Sequence, residues 1–214
     1  MSFSYYFLNP DAGQIGNITA FPEGFHMIAG DSLRRNYSVA GMDYTQPDPP
    51  QSLWAELNQT TQGDLAQRAI GFNCLNYGKR PPEGTLIRHY LPTKDYLDAN
   101  CLDGIRLELM FPSCWNGHDL DSPNHKDHVA YPDLVMDGTC PEGFKTKLPG
   151  LFYETIWGTD SFTGFDGEFV LANGDVQGKS SASHFALRFA CPRPRWMLIR
   201  CRLRLPRRLH HGMG

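Results

Sequence analysis

Proline and glycine fall so often along this chain that no long helix has room to form. The 214 residues include 16 prolines and 21 glycines, and both residue types interrupt a helical pattern. The apolar runs left between them have the length of strands. In Gly104 to Phe111, Ile105, Leu107 and Leu109 alternate with Arg106, Glu108 and Met110, the period of a half-buried strand that Pro112 ends. Leu151 to Trp157 is rich in aromatic and β-branched residues, and Phe169 to Leu171 closes on Asn173-Gly174. Shorter extended segments are expected at His26 to Ala29 and Val129 to Tyr131. Helical pattern is confined to one or two turns within Leu65 to Gly71 and a short helix over Asp95 to Cys101 that starts near Thr93. Met42 to Gln62, Gly78 to Gly84 and Ser113 to Asp127 read as loops. The expected fold is mainly β, an antiparallel sandwich or jelly roll with long loops and few short helices.

Hydrophobic residues make up 41% and charged residues 20%, a globular rather than a disordered composition and enough chain for one sizeable domain. A formal net charge of −3 supplies no general attraction to nucleic acid or to an anionic membrane. No apolar run is long enough to span a bilayer. The opening residues Met1 to Leu8 lack the basic start and the apolar length of a signal peptide. Cys74, Cys101, Cys114 and Cys140 are widely spaced, without the close pairs of a zinc or redox motif. They allow three pairings. Cys74–Cys101 with Cys114–Cys140 is preferred because each closes a loop of moderate length. Disulfides point to an extracellular or wall-associated protein, the alternative being a reduced protein with buried thiols. Sequons at Asn17, Asn36 and Asn58 agree with secretion.

The stretch Gly117 to His128 packs three histidines and three aspartates into twelve positions. Imidazole titrates near neutrality and ligates transition metals, and aspartate can orient it. His125 and His128 are the candidate acid, base or ligand residues, with Asp121 orienting and His118 close by. Three readings stand: a loop held by its own turn-forming side chains, a catalytic or sugar-binding polar cluster, and a metal site of unknown ligand set. Trp115 offers a face for a sugar ring, although a tryptophan beside a cysteine more often packs over the disulfide. Trp157, in a strand, is also read as core. Asp31 and Asp175 each follow a glycine after an apolar run, as turn residues or as part of the same cleft. No phosphate-binding loop, nucleophile elbow or zinc-protease motif occurs, and no cofactor is required by any motif.

Four stretches resemble a family of secreted fungal proteins built on a domain of unknown function. They are Ala20 to Asp31; Cys101 to Arg106 with Phe111-Pro112-Ser113-Cys114-Trp115-Asn116-Gly117; Asp121 to Pro132, reading DSPNHKDHVAYP; and Cys140-Pro141, Leu148-Pro149 and Leu151 to Glu154, with Gly174-Asp175 beyond. The resemblance covers roughly residues 5 to 178. His26 departs from it where a basic residue is usual, and Asp127 where serine is common. Such proteins often carry carbohydrate-binding modules of the WSC type. The resemblance therefore implies a secreted protein that acts on cell-wall polysaccharide as a lyase or hydrolase, or a wall-binding module without activity. It also implies that this chain starts inside the domain and departs from the family after residue 178. Residues 179–214, with Cys191, Cys201, eight arginines and no acidic residue, read as an aberrant basic tail outside the fold rather than as an arm for nucleic acid or acidic polysaccharide.

Overall fold

The computed structural model describes residues 2–10, 18–39, 41, 48–78 and 83–171, and the backbone of 187–190. In chain order these form β1 (Ser2–Phe7), a 3-10 turn (Gln51–Leu53), α1 (Gln62–Arg68), β2 (Ile70–Cys74), α2 (Lys94–Asn100), β3 (Ile105–Met110), β4 (Cys114–Trp115), β5 (Val129–Ala130), β6 (Thr146–Lys147), β7 (Gly150–Trp157), a second 3-10 turn (Thr159–Phe162), β8 (Glu168–Leu171) and β9 (Leu187–Ala190). The main sheet has the order β1-β7-β3-β2, a small sheet the order β5-β4-β6, and β8 pairs with β9. Every pairing is antiparallel. The fold is mainly β with two short helices and long connections, as the interruptions by proline and glycine require. No described helix is long and apolar enough to cross a membrane.

Both helices begin on a threonine cap. Thr61 Oγ1 accepts from the Asp64 N–H at 3.2 Å, and Thr93 Oγ1 accepts from the Tyr96 N–H at 3.3 Å. The pairing of cysteines is the preferred one, Cys74–Cys101 and Cys114–Cys140. The first ties β2 to the end of α2. The second fixes β4, from which the histidine-rich loop departs.

Two expectations are corrected here. The half-buried reading of β3 fails because the second face is also covered: Glu108 and Met110 are both fully buried. One face carries Ile105 and Leu107 into a core shared with Ile70, Phe72, Leu97, Phe169 and Leu171. On the other, Glu108 accepts from Arg106 Nε at 2.8 Å and from the Leu86 N–H at 2.7 Å, while Arg106 Nη1 lies 3.2 Å from Glu154. Gly71, opposite Glu108 on β2, leaves the room, since a Cβ there would sit 2.1 Å from a carboxylate oxygen. The second correction concerns His26 to Ala29, which is extended but pairs with no strand. Its N–H groups donate to a loop, as described below. Strands β1, β2, β4 and β6 are absent from the sequence expectations, Ile70 and Gly71 falling in the expected helical pattern and Cys114–Trp115 in the expected loop from Ser113 to Asp127, and the expected loop from Gly78 to Gly84 is described only in part. The boundary at residue 178, Asp175, Cys191 and Cys201 lie outside the described residues, and of the tail only 187–190 is described, as β9 paired with β8.

Beneath α1 sits the strongest charge cluster. The Arg68 side chain, 1% exposed, donates from Nε to Asp48 at 3.0 Å and from its terminal nitrogens to the backbone and side chain of Gln59 at 2.8 Å. Its guanidinium lies 4.1 Å from the centroid of the Trp54 ring. His89 Nε2 meets the same Asp48 oxygen at 2.9 Å, and its Nδ1 meets the Ile70 carbonyl at 2.7 Å. Burial pushes the Asp48 carboxyl upward, but the hydrogen bonds and charges of His89 and Arg68 outweigh it and hold the group below the usual aspartate range. Asp48→Asn leaves Arg68 buried without its counter-charge and is expected to cost about 3 kcal/mol in denaturant unfolding at neutral pH. A folded-state pKa below the unfolded one contributes stability that is complete above about pH 3.9 and fades as pH falls through the lower folded value. The gap between wild type and Asp48→Asn should accordingly close in acid.

Candidate functional site

Residues 116–128 join β4 to β5, so the histidine-rich stretch is the long tip of a hairpin whose base is pinned by Cys114–Cys140. A loop of this length has no ladder to satisfy its backbone, and its own side chains do so instead. Asn116 Oδ1 accepts from the His118 and Asp119 N–H groups at 3.2 and 3.1 Å. The Trp115 indole donates to the Asp119 carbonyl at 2.7 Å. In the second half, Ser122 Oγ accepts from the Lys126 and Asp127 N–H groups at 3.0 and 3.1 Å. Asn124 Oδ1 accepts from the same two at 3.1 Å. The segment from Phe25 to Asp31 is strapped along this loop. His26 N–H donates to the Leu120 carbonyl at 2.9 Å, Ile28 N–H to the His125 carbonyl at 3.0 Å, and Lys126 Nζ to the Gly30 carbonyl at 2.7 Å.

The scaffold sends the histidines to different places. His125 lies at the turn with φ +55°, in the left-handed region, and its N–H donates to the Ser122 carbonyl. Its exposed ring places Nδ1 2.6 Å from Asp121 Oδ1. His26, which the sequence singled out only as an unusual residue, puts Nδ1 3.5 Å from the other oxygen of Asp121. The hydrogen bond from His125 holds the Asp121 carboxyl below its usual range, helped by the Ser122 N–H and His26 against a smaller opposing effect of burial. Asp121 is thus an ionised acceptor, and the His125 proton belongs on Nδ1. That leaves Nε2 with its lone pair directed away from the carboxylate.

His128 is not part of this cluster. It is 1% exposed, with its ring 5.2 Å from that of Phe25 and Nδ1 2.9 Å from Ser122 Oγ. Ser122 Oγ accepts from two N–H groups that it shares with Asn124 Oδ1, and its own hydroxyl donates to Asn124 Oδ1 at 3.1 Å. The other ring nitrogen of His128, Nε2, has no partner among the described residues. His118 forms its own exposed pair with Asp119 at 3.1 Å. Hydrogen bonds from Asn116 first and His118 second hold Asp119 below the usual range. Trp115 is buried against Val129, Leu148 and Phe25, the core placement rather than a sugar platform.

Two open depressions flank the strap. A cleft of about 470 Å³ is lined by Asp31, Arg34, Gln62, Lys126, Asp127 and Phe144 among others. An aromatic groove of about 430 Å³ is lined by Tyr6, Phe21, Phe25, Phe111 and Tyr153. Ile28 lines both. Asp31 therefore shares its cleft with Lys126 and Asp127 rather than with either His125 or His128, and Asp175 lies outside the described residues. Among the described residues no group of three His, Cys, Asp or Glu side chains is placed to hold a metal ion. Asn36 and Asn58 are exposed, and Asn17 is outside the described residues.

A family model with the description Domain of unknown function (DUF1996) matches residues 1–187. No curated protein and no solved structure matches the chain.

The different settings of His125 and His128 separate their roles by stability. His128→Ala removes a buried ring and its bond to Ser122, and should lower unfolding free energy by about 2–3 kcal/mol. His125→Asn keeps a residue type that tolerates the left-handed backbone and should stay within about 1 kcal/mol of wild type. Equilibrium urea denaturation of the two variants checks both.

Proposed function

The chain belongs to the DUF1996 family, and from that premise we propose an extracellular protein that acts on cell-wall polysaccharide, with His125 as its proton-transfer residue and Asp121 as the group that orients it. The observation that carries the reading is the 2.6 Å contact between His125 Nδ1 and an ionised Asp121 on an exposed, left-handed turn. Backbone held in a sparsely populated region is a cost that the surrounding structure must override, and such positions cluster at working sites. A carboxylate on Nδ1 fixes the tautomer, keeps Nε2 available as a base, and stabilises the imidazolium once a proton has been taken. The proton taken up by Nε2 would come from the carbon beside a uronate carboxylate in a lyase, or from a water in a hydrolase. Two disulfides support an oxidising compartment, and the open depressions on either side of the strap suit a long ligand better than a small enclosed one.

A second reading, a wall-binding module without turnover, is favoured by one feature. Asn116, Ser122 and Asn124 direct their side chains at the loop's own backbone, which is what a purely structural tip would do. The two readings part on a single assay. Release of reducing or unsaturated sugar ends from a panel of insoluble wall polysaccharides should fall at least about a hundredfold in His125→Asn and in Asp121→Asn if the ring transfers protons. Retention on the same material without any release in wild type would leave the module reading, and neither retention nor release would sink both.

A further inference from the structure

The cleft beside the histidine loop carries a pattern of its own. Its polar lining consists of two carboxylates, Asp31 and Asp127, two cations, Arg34 and Lys126, and the amide of Gln62. The four charged groups come from two segments that the strap brings together, 31–34 and 126–127, with Lys126 Nζ bonded across to the Gly30 carbonyl at 2.7 Å, while Gln62 comes from α1 and is bonded to the Tyr131 backbone. The rest of the lining is apolar, including Ile28, Ala66, Val129 and the half-buried ring of Phe144. The charged groups are held in place rather than free to swing. Asp127 Oδ1 accepts from Asn124 Nδ2 at 2.8 Å, Asp31 Oδ1 accepts from the Leu33 N–H at 2.9 Å, and Arg34 Nη1 donates to Ser38 and Gln67 at 3.2 and 3.0 Å.

We infer that this cleft is the recognition subsite for an uncharged stretch of glycan. Formal charge cancels across the polar lining, so an anionic ligand gains no net attraction there. Alternating fixed acceptors and donors suit hydroxyl groups, each of which donates and accepts at once. An aromatic and aliphatic wall suits the C–H face of a pyranose ring, and a volume of about 470 Å³ has room for a small run of sugar units. This rests on the polysaccharide reading above and narrows it. Elimination needs a uronate carboxylate next to the carbon that loses its proton, so an uncharged glycan leaves hydrolysis or simple retention.

The test is titration of the full chain, by calorimetry and by amide NMR shifts, with cellohexaose, laminarihexaose, chitohexaose and oligogalacturonate. At least one of the three uncharged hexasaccharides is expected to bind and to shift the amides of Asp31, Lys126 and Asp127, with oligogalacturonate no tighter. Lys126→Met, which also gives up its bond to the Gly30 carbonyl, and Asp127→Asn should each weaken that binding about tenfold, with urea unfolding confirming that each variant is folded. Binding that shifts the aromatic groove and spares the cleft, or a clear preference for oligogalacturonate, overturns the subsite while leaving the polysaccharide reading standing. Binding by none of the four overturns the subsite, and the wall-material assay then decides separately whether the broader reading survives.

Discussion

Ser122 Oγ accepts hydrogen bonds from the backbone N–H groups of Lys126 and Asp127, and the rest of the site follows from that turn. The tip between β4 and β5 is too long for a tight hairpin and has no neighbouring strand to satisfy its peptide groups. Closing it on a serine and an asparagine forces His125 into a left-handed conformation at the outer bend. The same closure drives His128 inward against Phe25. Side chains three residues apart thereby end up in opposite environments, one paired to Asp121 at the surface and one buried. The strap from Phe25 to Asp31 then completes the arrangement, because its N–H groups donate to carbonyls the loop leaves over. It brings His26 to Asp121 and lays Asp31 beside Lys126 and Asp127.

Much of the fold was legible because its signals are local. Thr93 caps its helix within a turn of itself, and β3, β7 and β8 carry dense apolar or β-branched runs, whereas the start of α1 at Thr61 falls in an expected loop. The cysteine pairing was legible because each bridge closes a loop of similar, moderate size, with separations of 27 and 26 residues. What failed was whatever depends on a distant partner. Strand β2 is buried at every position, and a run covered on both sides shows no alternation, so Ile70 and Gly71 were absorbed into the preceding helical pattern. Glu108 alternates as a surface residue does. The Arg106 guanidinium, the Asn73 amide and the Leu86 N–H, none of them announced by the strand's alternation, make it a buried one.

The site shows the same division. The concentration of histidine and aspartate between Gly117 and His128 singled out one loop, but spacing alone placed His125 and His128 together, and the structure brings together His125, Asp121 and His26. Nothing in the neighbourhood of His26 announces this, since Asp121 lies 95 positions away in the chain. The cluster under α1 is a structural counterpart of the site: Asp48 there also joins an imidazole to a second group, but at a buried position where Arg68 and Trp54 complete the shell. One constellation is enclosed and its carboxylate holds the fold together. The other is open, and its carboxylate holds a ring out to solvent.

The central claim is that Asp121 fixes the tautomer of His125, protonated on Nδ1, while the buried ring of His128 answers to Ser122 and not to Asp121. Long-range proton–nitrogen correlation NMR on imidazole-labelled protein, at a pH where both rings are neutral, reads this directly. The account predicts an Nδ1–H signature for His125 that reverts to the ordinary mixture in Asp121→Asn, and a His128 signature that the same substitution does not change. An Nε2–H signature for His125 in the wild type, or one indifferent to Asp121→Asn, would contradict it.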